Sequence, residues 1–237
     1  MSTSFRVGTS GFSYDEWIGT FYPEDLPKKK MLEHYASQFQ AVEINNTFYR
    51  LPSAKLLGDW KARVPQAFQF CLKMAQKVTH FGRLKVEGPV GDAVRYFFET
   101  KKVLAESAGP TLVQLPPNLK KTPEHVERLG RFFEIVPKEE PLVMEFGSDT
   151  WLDEEVYAML HTRGASLCVV DDDKHPQDLL RTASFGYFRL RRVEYTDEAL
   201  AAWKQRIEKG GYEQAYVFFK HEDEGTGPKL AKRFLAL

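Results

Sequence analysis

Charged and amide side chains interrupt several short apolar segments of this sequence, in each case near the C-terminal end of the segment. In AVEINNTFYRLP (Ala41–Pro52), Glu43 and Asn45 alternate with Val42 and Ile44. Similar polar positions in the apolar segments are Glu43, Lys73, Gln114, Glu145, Asp171 and Arg189. Buried charges are costly unless they are paired or used, so a set of this size at comparable positions predicts a functional site.

These residue types suit an enzyme that acts on a polar or anionic small molecule, phosphorylated or sugar-like. Lys73, Arg189 and Lys220 are expected to hold a phosphate or carboxylate group. Glu43 or Glu145 is expected to act as general acid or base, and hydrolase, lyase and isomerase chemistry all remain open. The predicted catalytic set is Glu43, Lys73, Glu145 and Asp171, and the predicted substrate-binding set is Asn45, Tyr49, Arg50, His80, Gln114, Arg189, Trp17 and Lys220.

The elements that must position these residues are eight apolar segments that alternate with helical patterns. A repeated strand–helix alternation predicts parallel strands, and eight repeats predict a (β/α)8 TIM-type barrel. A chain of 237 residues with 43% hydrophobic residues suits one such domain over residues 1–237. The predicted strands are Phe5–Phe12, Ala41–Tyr49, Phe68–Met74, Pro110–Pro116, Pro141–Phe146, Ala165–Asp171, Phe185–Arg192 and Gln214–His221.

A barrel would gather the polar residues because the C-terminal ends of its strands meet at one mouth. Side chains alternate in direction along a strand, so Glu43 and Asn45 share one face. In strand six, Asp171 follows Leu167 and Val169 on one face, and in strand eight either Lys220 or His221 points inward. An open doubly wound sheet is the rival fold, but GTSGFS lacks the glycine spacing of its phosphate loop and lies about 15 residues before the first helix.

The rim of this mouth is expected to carry Trp17, Tyr49, Arg50 and His80. Trp17 belongs to the aromatic segment FSYDEWIGTFYP, which is expected to pack as a long loop over the mouth. A short helix is expected around Gln177–Arg181. The two cysteines, Cys71 and Cys168, fall in apolar strands and are expected to be buried free thiols.

Three alternatives compete with this interpretation. Glu43 and Lys73 could form a purely structural ion pair. A retaining glycosidase would need Glu43 and Glu145 within roughly 5 Å, although their strands are distant around a barrel. A divalent metal is a less favoured cofactor, because Lys73 and Arg189 already balance the carboxylates; its ligands would be Glu43, Glu145, Asp171, His221 and the cluster DDDKHP, Asp171–Pro176.

A nucleic-acid or partner-binding module is the alternative from a different class. It would use the basic clusters Lys28–Lys30, Lys120–Lys121 and Arg191–Arg192 with aromatic stacking surfaces. The chain carries 33 basic and 33 acidic residues, and this balance disfavours nucleic acid. The start of the chain lacks an apolar signal core, and no apolar run approaches the roughly 20 residues of a membrane span, so a cytoplasmic location is expected.

Five segments resemble the domain of unknown function 72 (DUF72) family, also called YecE-like. They are VGTSGFSYDEWIGTFYP (Val7–Pro23), VEINNTFYRLP (Val42–Pro52), FQFCLKMAQKVTH (Phe68–His80), GPTLVQLPP (Gly109–Pro117) and MEFGSDTW (Met144–Trp151). The resemblance implies a TIM-type barrel and carries no assigned activity. Positions that match the family pattern are Glu43, Asn45, Tyr49, Arg50, Lys73, Thr79, His80, Gln114, Glu145 and Asp171.

The chain departs from the family pattern in the last three strands. Gly147–Ser148 replaces the Arg-His that typically follows the strand-five glutamate. Arg189–Arg192 replaces an Arg-Leu-His-Gly sequence, and Lys220–His221 replaces paired asparagines. The rim of the predicted mouth therefore differs from that of the family, and a substrate shared by the family need not be the substrate here.

Overall fold

Strands and helices alternate along the chain in a computed structural model that describes residues 2–172, 179–220 and 225–237. Each of the eight predicted apolar segments contains a strand. The strands are β1 (Ser4–Thr9), β2 (Ala41–Ile44), β3 (Gln69–Leu72), β4 (Thr111–Leu115), β5 (Leu142–Phe146), β6 (Ser166–Asp171), β7 (Phe185–Leu190) and β8 (Gln214–Phe219).

The helices between the strands begin at residues that suit helix N-termini. Side chains of Ser53, Thr122, Asp153 and Thr196 each accept a hydrogen bond from the backbone N–H three residues later, which satisfies one of the free donors of the first turn. The α-helices are α1 (Met31–Gln38), α2 (Asn46–Tyr49), α3 (Ala54–Lys61), α4 (Gly88–Lys101), α5 (Pro123–Ile135), α6 (Glu154–Arg163), α7 (Asp197–Lys209) and α8 (Thr226–Ala236).

All strand pairs are parallel, which confirms the predicted α/β alternation. Six strands form one sheet in the order β1-β8-β7-β6-β5-β4, and β2 pairs with β3 in a second sheet. Isolated bridges connect the two sheets. Ser10 bridges to Glu43 between β1 and β2, and Lys73 bridges to Leu112 between β3 and β4.

Apolar side chains cover both faces of the strands, as buried parallel sheets require. A large cluster fills the space between the strands and the helices. A smaller inner cluster takes one or two residues from each of β2 to β8, so the opposite faces of these strands also converge. Its members are Ala41, Cys71, Leu112, Val143, Cys168, Val170, Tyr187, Tyr216 and Phe218, and both cysteines are buried free thiols as predicted.

Two predicted elements differ from the structure. The strand predicted over Ala41–Tyr49 is wrong after Ile44, because Asn46–Tyr49 forms a short helix. Thr47 holds this turn by donating a hydrogen bond to the carbonyl of Lys73 at 2.7 Å. The short helix predicted around Gln177–Arg181 lies partly outside the described residues, and residues 179–181, which are described, are not helical.

No helix within the three described ranges is both long enough and apolar enough to cross a membrane.

Gly8 allows β1 and β2 to approach closely. A Cβ atom at this position would lie 2.0 Å from the backbone oxygen of Ala41 and 2.8 Å from the hydroxyl of Tyr35. The same hydroxyl accepts a hydrogen bond from the backbone N–H of Thr9 at 2.7 Å. A side chain at Gly8 would therefore separate β1 from β2 and disturb the buried contacts of Tyr35.

We expect Gly8→Ala to lower the free energy of unfolding by about 3 kcal/mol, because backbone atoms must move to admit the methyl group. Gly130→Ala is the matched control: its Cβ, on the partly exposed face of α5, would meet only the Cε of Met159 at 3.9 Å. The control should raise the same quantity by up to about 1 kcal/mol through helix propensity. Urea unfolding measures both, and wild-type stability of Gly8→Ala would contradict the close approach.

Candidate functional site

Arg189 bridges two carboxylates in the interior, near the C-terminal ends of three strands. Its side chain is 2% exposed and projects from β7. Nη2 lies 2.7 Å from Glu43 Oε1 and Nη1 lies 2.6 Å from Glu145 Oε2, so one guanidinium forms ion pairs with a residue of β2 and a residue of β5. The alternative in which Glu43 pairs with Lys73 is therefore wrong. Arg189 also occupies the space that a glycosidase would need between its two carboxylates.

Glu43 is fully buried, and donors surround its carboxylate. Ser10 Oγ at 2.7 Å and Asn45 Nδ2 at 3.2 Å donate to Oε1, and the hydroxyl of Tyr187 donates to Oε2 at 2.9 Å. Burial alone would raise the pKa of Glu43, but Arg189, Ser10 and Tyr187 outweigh it, and the pKa is held below its ordinary value. Glu43 is thus an ionised group that fixes Arg189, a geometry that favours positioning over proton transfer.

A relay of hydrogen bonds runs from Glu145 to Lys73. Gln114 Nε2 donates to Glu145 Oε1 at 2.5 Å, and Lys73 Nζ donates to Gln114 Oε1 at 2.7 Å. The Nζ atom also lies 4.2 Å from the centre of the Phe48 ring. Burial and, second, the charge of Arg189 lower the pKa of Lys73 to about 8, although Glu145 and Glu43 act in the opposite direction.

A cavity of about 300 Å³ opens above this relay, and we call it the basic cavity. Four of its lining residues are cationic, and none of those described is a carboxylate. The lining residues are Tyr14, Asn45, Asn46, Phe48, Tyr49, Lys73, Gln114, Arg189, Arg191 and Lys220. Six of the predicted site residues therefore contribute to a single cavity, near the ends of the strands where they were expected.

A second cavity of about 280 Å³, the acidic cavity, adjoins the first. Gln114 and Arg191 line both, and Glu145 reaches only the second. His80 also lines it, and burial followed by the charge of Lys73 lowers the pKa of this imidazole, so the ring is neutral at pH 7. The full lining is His80, Gln114, Leu115, Pro116, Pro117, Glu145, Phe146, Gly147, Asp149, Val170, Asp172 and Arg191.

Asp171 is a predicted catalytic residue that the structure places away from both cavities. Its carboxylate accepts hydrogen bonds from Trp203 Nε1 at 2.8 Å, the hydroxyl of Tyr195 at 2.9 Å and Arg192 Nε at 2.8 Å. Asp171 thus faces the helix layer, on the same face of β6 as Leu167 and Val169. The two-residue period of β6 already indicates this orientation. The prediction that the carboxylate of Asp171 points inward is therefore wrong.

Two rim predictions, Trp17 and Arg50, fall outside both cavities. Trp17 is completely buried and packs against Tyr14, Phe21 and Tyr22, so it supports the loop from below. Arg50 lines a neighbouring surface groove. In strand eight, Lys220 lines the basic cavity, and His221 lies outside the described residues.

Arg191 and Tyr187 belong to the site but were not predicted from the sequence. Both share a face with Arg189 through the two-residue period of a strand, which is the signal that identifies them. Arg191 Nη2 lies 3.7 Å from Glu145 Oε1, and Arg191 lines both cavities. Tyr14 and Phe48, which also line the basic cavity, carry no comparable signal because they lie in a loop and a short helix.

The carboxylates of the proposed metal site do not gather around a common point. Glu43 and Glu145 converge on Arg189, and Asp171 faces the other way. Within the described ranges, no group of three or more His, Cys, Asp or Glu residues is arranged to hold a metal ion. Residues 173–178, which include most of the DDDKHP cluster, and His221 lie outside those ranges.

The basic clusters proposed for nucleic acid are partly neutralised by neighbouring carboxylates. Lys30 pairs with Glu33 at 3.2 Å, and Lys121 pairs with Glu155 at 2.7 Å. Arg192 is held by Asp171. These clusters therefore carry less free charge than the sequence suggests.

Glu43→Gln tests the buried pairing of Arg189. Removal of one partner from a buried ion pair is expected to lower the free energy of unfolding at pH 7 by about 3 kcal/mol. Because the folded-state pKa of Glu43 lies below its ordinary value of 4.5, its carboxylate stabilises the fold above that pH and loses this effect as the pH falls. Urea unfolding at several pH values should show a smaller acid loss in the variant.

The control is Glu106→Gln, which removes an exposed carboxylate 3.3 Å from Lys61. It should unfold like the wild type at pH 7. Equal stability of Glu43→Gln and Glu106→Gln would contradict the conclusion that Glu43 stabilises the fold through a buried ion pair.

Sequence comparison relates the chain to two curated proteins. It is 28% identical over 170 residues to the UPF0759 protein YecE of Escherichia coli (strain K12), a match that covers 70% of this chain and 58% of YecE. It is 27% identical over 157 residues to the UPF0759 protein YunF of Bacillus subtilis (strain 168), covering 64% of this chain and 53% of YunF. The matched segments thus span little more than half the length of each relative.

Structural comparison extends the similarity to the whole chain. A crystal structure of a DUF72 family protein from Thermotoga maritima superposes with a TM-score of 0.86 at 28% identity and covers 98% of both chains. A DUF72 family protein from Enterococcus faecalis gives a TM-score of 0.81 at 19% identity, covering 99% of this chain and 98% of the other. Residues 6–237 match the family described as "Protein of unknown function DUF72", and the chain therefore belongs to the DUF72 family.

Proposed function

We propose that this protein is an enzyme that binds an anionic small molecule in the basic cavity, at the C-terminal mouth of a closed, single-domain (β/α)8 barrel. The bridges from β1 to β2 and from β3 to β4 support closure. Contacts across the interior support it as well: Arg189 of β7 reaches β2 and β5, and Tyr216 of β8 donates to Gln69 of β3 at 2.7 Å. In barrel enzymes, this end of the strands carries the active site.

The charge of the basic cavity is the observation that carries the proposal. Lys73, Arg189, Arg191 and Lys220 line it, whereas Glu43 and Glu145 lie beneath it against Arg189. Four cations against these two carboxylates leave a surplus of positive charge. A phosphate or carboxylate group would offset this surplus and bind with charge-assisted hydrogen bonds.

Two buried donors add to the case for an anion. Nε of Arg189 and Nε of Arg191 have no hydrogen-bond partner among the described residues. A buried N–H without a partner costs free energy, and both arginines line the basic cavity, so a ligand oxygen that reached these groups would offset this cost. The volume of about 300 Å³ suits a small metabolite.

The groups that border the two cavities suit general acid–base chemistry. Lys73 has a pKa of about 8 and can give or accept a proton near neutral pH. Glu145 and neutral His80 face the acidic cavity, on the other side of Gln114. An anion held by the arginines would place the rest of the substrate between these groups, an arrangement consistent with hydrolase, lyase or isomerase reactions.

Arg191→Met and Arg192→Met form a matched pair that tests the anion site. Arg191 lines the basic cavity, whereas its neighbour Arg192 binds Asp171 on the opposite face. We expect calorimetry with inorganic phosphate and with phosphorylated metabolites to show at least about 10-fold weaker binding for Arg191→Met, the loss of one charge-assisted contact. Arg192→Met should bind like the wild type. Equal affinity in both variants, or no anion binding by the wild type, would refute the proposal.

The aromatic surface beside the cavity favours a second candidate, a site for single-stranded nucleic acid. Tyr49 and Phe81 are 73% and 75% exposed and border a groove that is also lined by Arg50 and Lys77. Exposed rings stack on bases, and nearby cations contact phosphates. This combination is unusual for a surface without a ligand.

Tyr49→Ala combined with Phe81→Ala tests this candidate. Fluorescence anisotropy with a labelled oligothymidylate should show salt-sensitive binding by the wild type and at least about 10-fold weaker binding by the double variant. Leu235→Ala, which removes a partly exposed side chain from α8, is the control and should leave binding unchanged. If wild-type binding is absent at low salt, this candidate is rejected.

A further inference from the structure

We infer that Lys73 is a nucleophile that forms a Schiff base with an aldehyde or ketone carrying a phosphate or carboxylate group. The inference rests on the proposed anion site, since the basic cavity must hold the charged end of the substrate. Lys73 follows β3, is 9% exposed and lines this cavity, so a ligand in the cavity would contact its side chain.

The contacts of Lys73 differ from those of a structural lysine in the same fold. Lys101 is similarly buried, but its Nζ donates to the carbonyl of Gly109 at 2.6 Å and to Thr111 Oγ1 at 2.8 Å, and it also pairs with Glu140. All three N–H groups are used, and a carboxylate stabilises the charge. Lys101 thus has no N–H group available for another partner, and its side chain is enclosed.

Lys73 has none of these restraints. Within the described ranges, its Nζ has no carboxylate at ion-pair distance, and Gln114 Oε1 is its hydrogen-bond acceptor. Glu145 takes the amide N–H of Gln114, and this fixes the amide so that its oxygen faces Lys73. A neutral amine can donate one N–H to that oxygen and keep its lone pair for attack. Gln114 therefore positions the amine, and unlike a carboxylate it does not stabilise the charged ammonium form.

The surroundings also increase the fraction of neutral amine. Burial, Arg189 and Lys220 disfavour the charge on Lys73 and outweigh Glu145 and Glu43. The resulting pKa of about 8 leaves roughly one molecule in ten with a neutral amine at pH 7. Desolvation next to other cations is a recognised way to activate a lysine for carbonyl chemistry.

Formation of the Schiff base at Lys73 needs no oxidant or reductant. The Lys73 nitrogen adds to the carbonyl carbon, and one amine proton passes to the carbonyl oxygen to form a carbinolamine. The C–O bond then breaks as a solvent proton joins the departing hydroxyl, which releases water and leaves a protonated C=N bond. This iminium withdraws electrons from the neighbouring carbon, where Glu145 or His80, across Gln114, would face the bond that reacts.

Pyridoxal 5′-phosphate, which combines an aldehyde with a phosphate, is the probe. The full chain is incubated with the probe, reduced with borohydride, digested and examined by mass spectrometry. We expect near-stoichiometric modification of Lys73, with Lys101 in the same digest unmodified. Pyridoxal without its phosphate should label Lys73 at least 10-fold less, inorganic phosphate should protect it, and the labelling rate should rise with pH through about 8.

Lys73→Arg keeps the positive charge and removes the nucleophilic amine, so it should abolish the adduct. Labelling spread evenly over exposed lysines, or no adduct at Lys73 in a protein that binds phosphate, would overturn the Schiff-base inference and leave the anion site intact. Failure of the wild type to bind phosphate in calorimetry would instead overturn the anion site. The two failures are therefore distinguishable.

Discussion

The interaction between Arg189 and its two carboxylates is the constraint on which the interior depends. Each buried ion costs several kcal/mol to desolvate, so the site is stable only when its charges are paired with good geometry. The guanidinium meets this need because its planar fork binds one carboxylate at each end, which the single ammonium of a lysine does less well. Through Arg189, Glu43 and Glu145, three strands that are not neighbours in either sheet are held together.

The order of layers inside the strands follows from this pairing. Seven of the inner apolar residues are each followed, two positions later, by a polar residue nearer the C-terminal end of the strand. The pairs are Ala41–Glu43, Cys71–Lys73, Leu112–Gln114, Val143–Glu145, Val170–Asp172, Tyr187–Arg189 and Phe218–Lys220. The apolar layer excludes water from one side of the ion pairs, and the polar layer opens into the cavities. Arg189 binds the two carboxylates from within this layer. The basic cavity therefore exposes positive charge to a ligand.

The loop after β1 forms a wall of the basic cavity because its aromatic residues are packed firmly. Trp17 is buried against Tyr14, Phe21 and Tyr22, and these contacts hold the loop against α1. Tyr14 then reaches the cavity, and its hydroxyl donates to the carbonyl of Ser10 at 2.8 Å. Ser10 in turn contacts Glu43, so the cavity wall and the central ion pairs belong to one hydrogen-bonded network.

The sequence by itself determined the strand–helix alternation, the parallel pairing and most members of the polar cluster. These features are local patterns, which can be recognised from the sequence alone. They are apolar segments of strand length, capping residues such as Thr122 and Thr196, and polar residues near strand ends. The two-residue period of the strands also predicts which way Arg191 and Asp171 face, provided that it is applied to every strand.

Only the tertiary structure decided which charges neutralise each other. Glu43 has Arg189 as its partner, 146 positions away in the chain, and Lys73 is left with an amide oxygen. Pairing of this kind depends on which strands face one another across the interior and on the reach of each side chain, and neither is encoded in the spacing of residues along a strand. The same physical reason explains why Trp17 supports the loop, why Asp171 binds α7, and why the turn at Asn46–Tyr49 replaces the end of a predicted strand: long-range contacts there outweigh the local pattern.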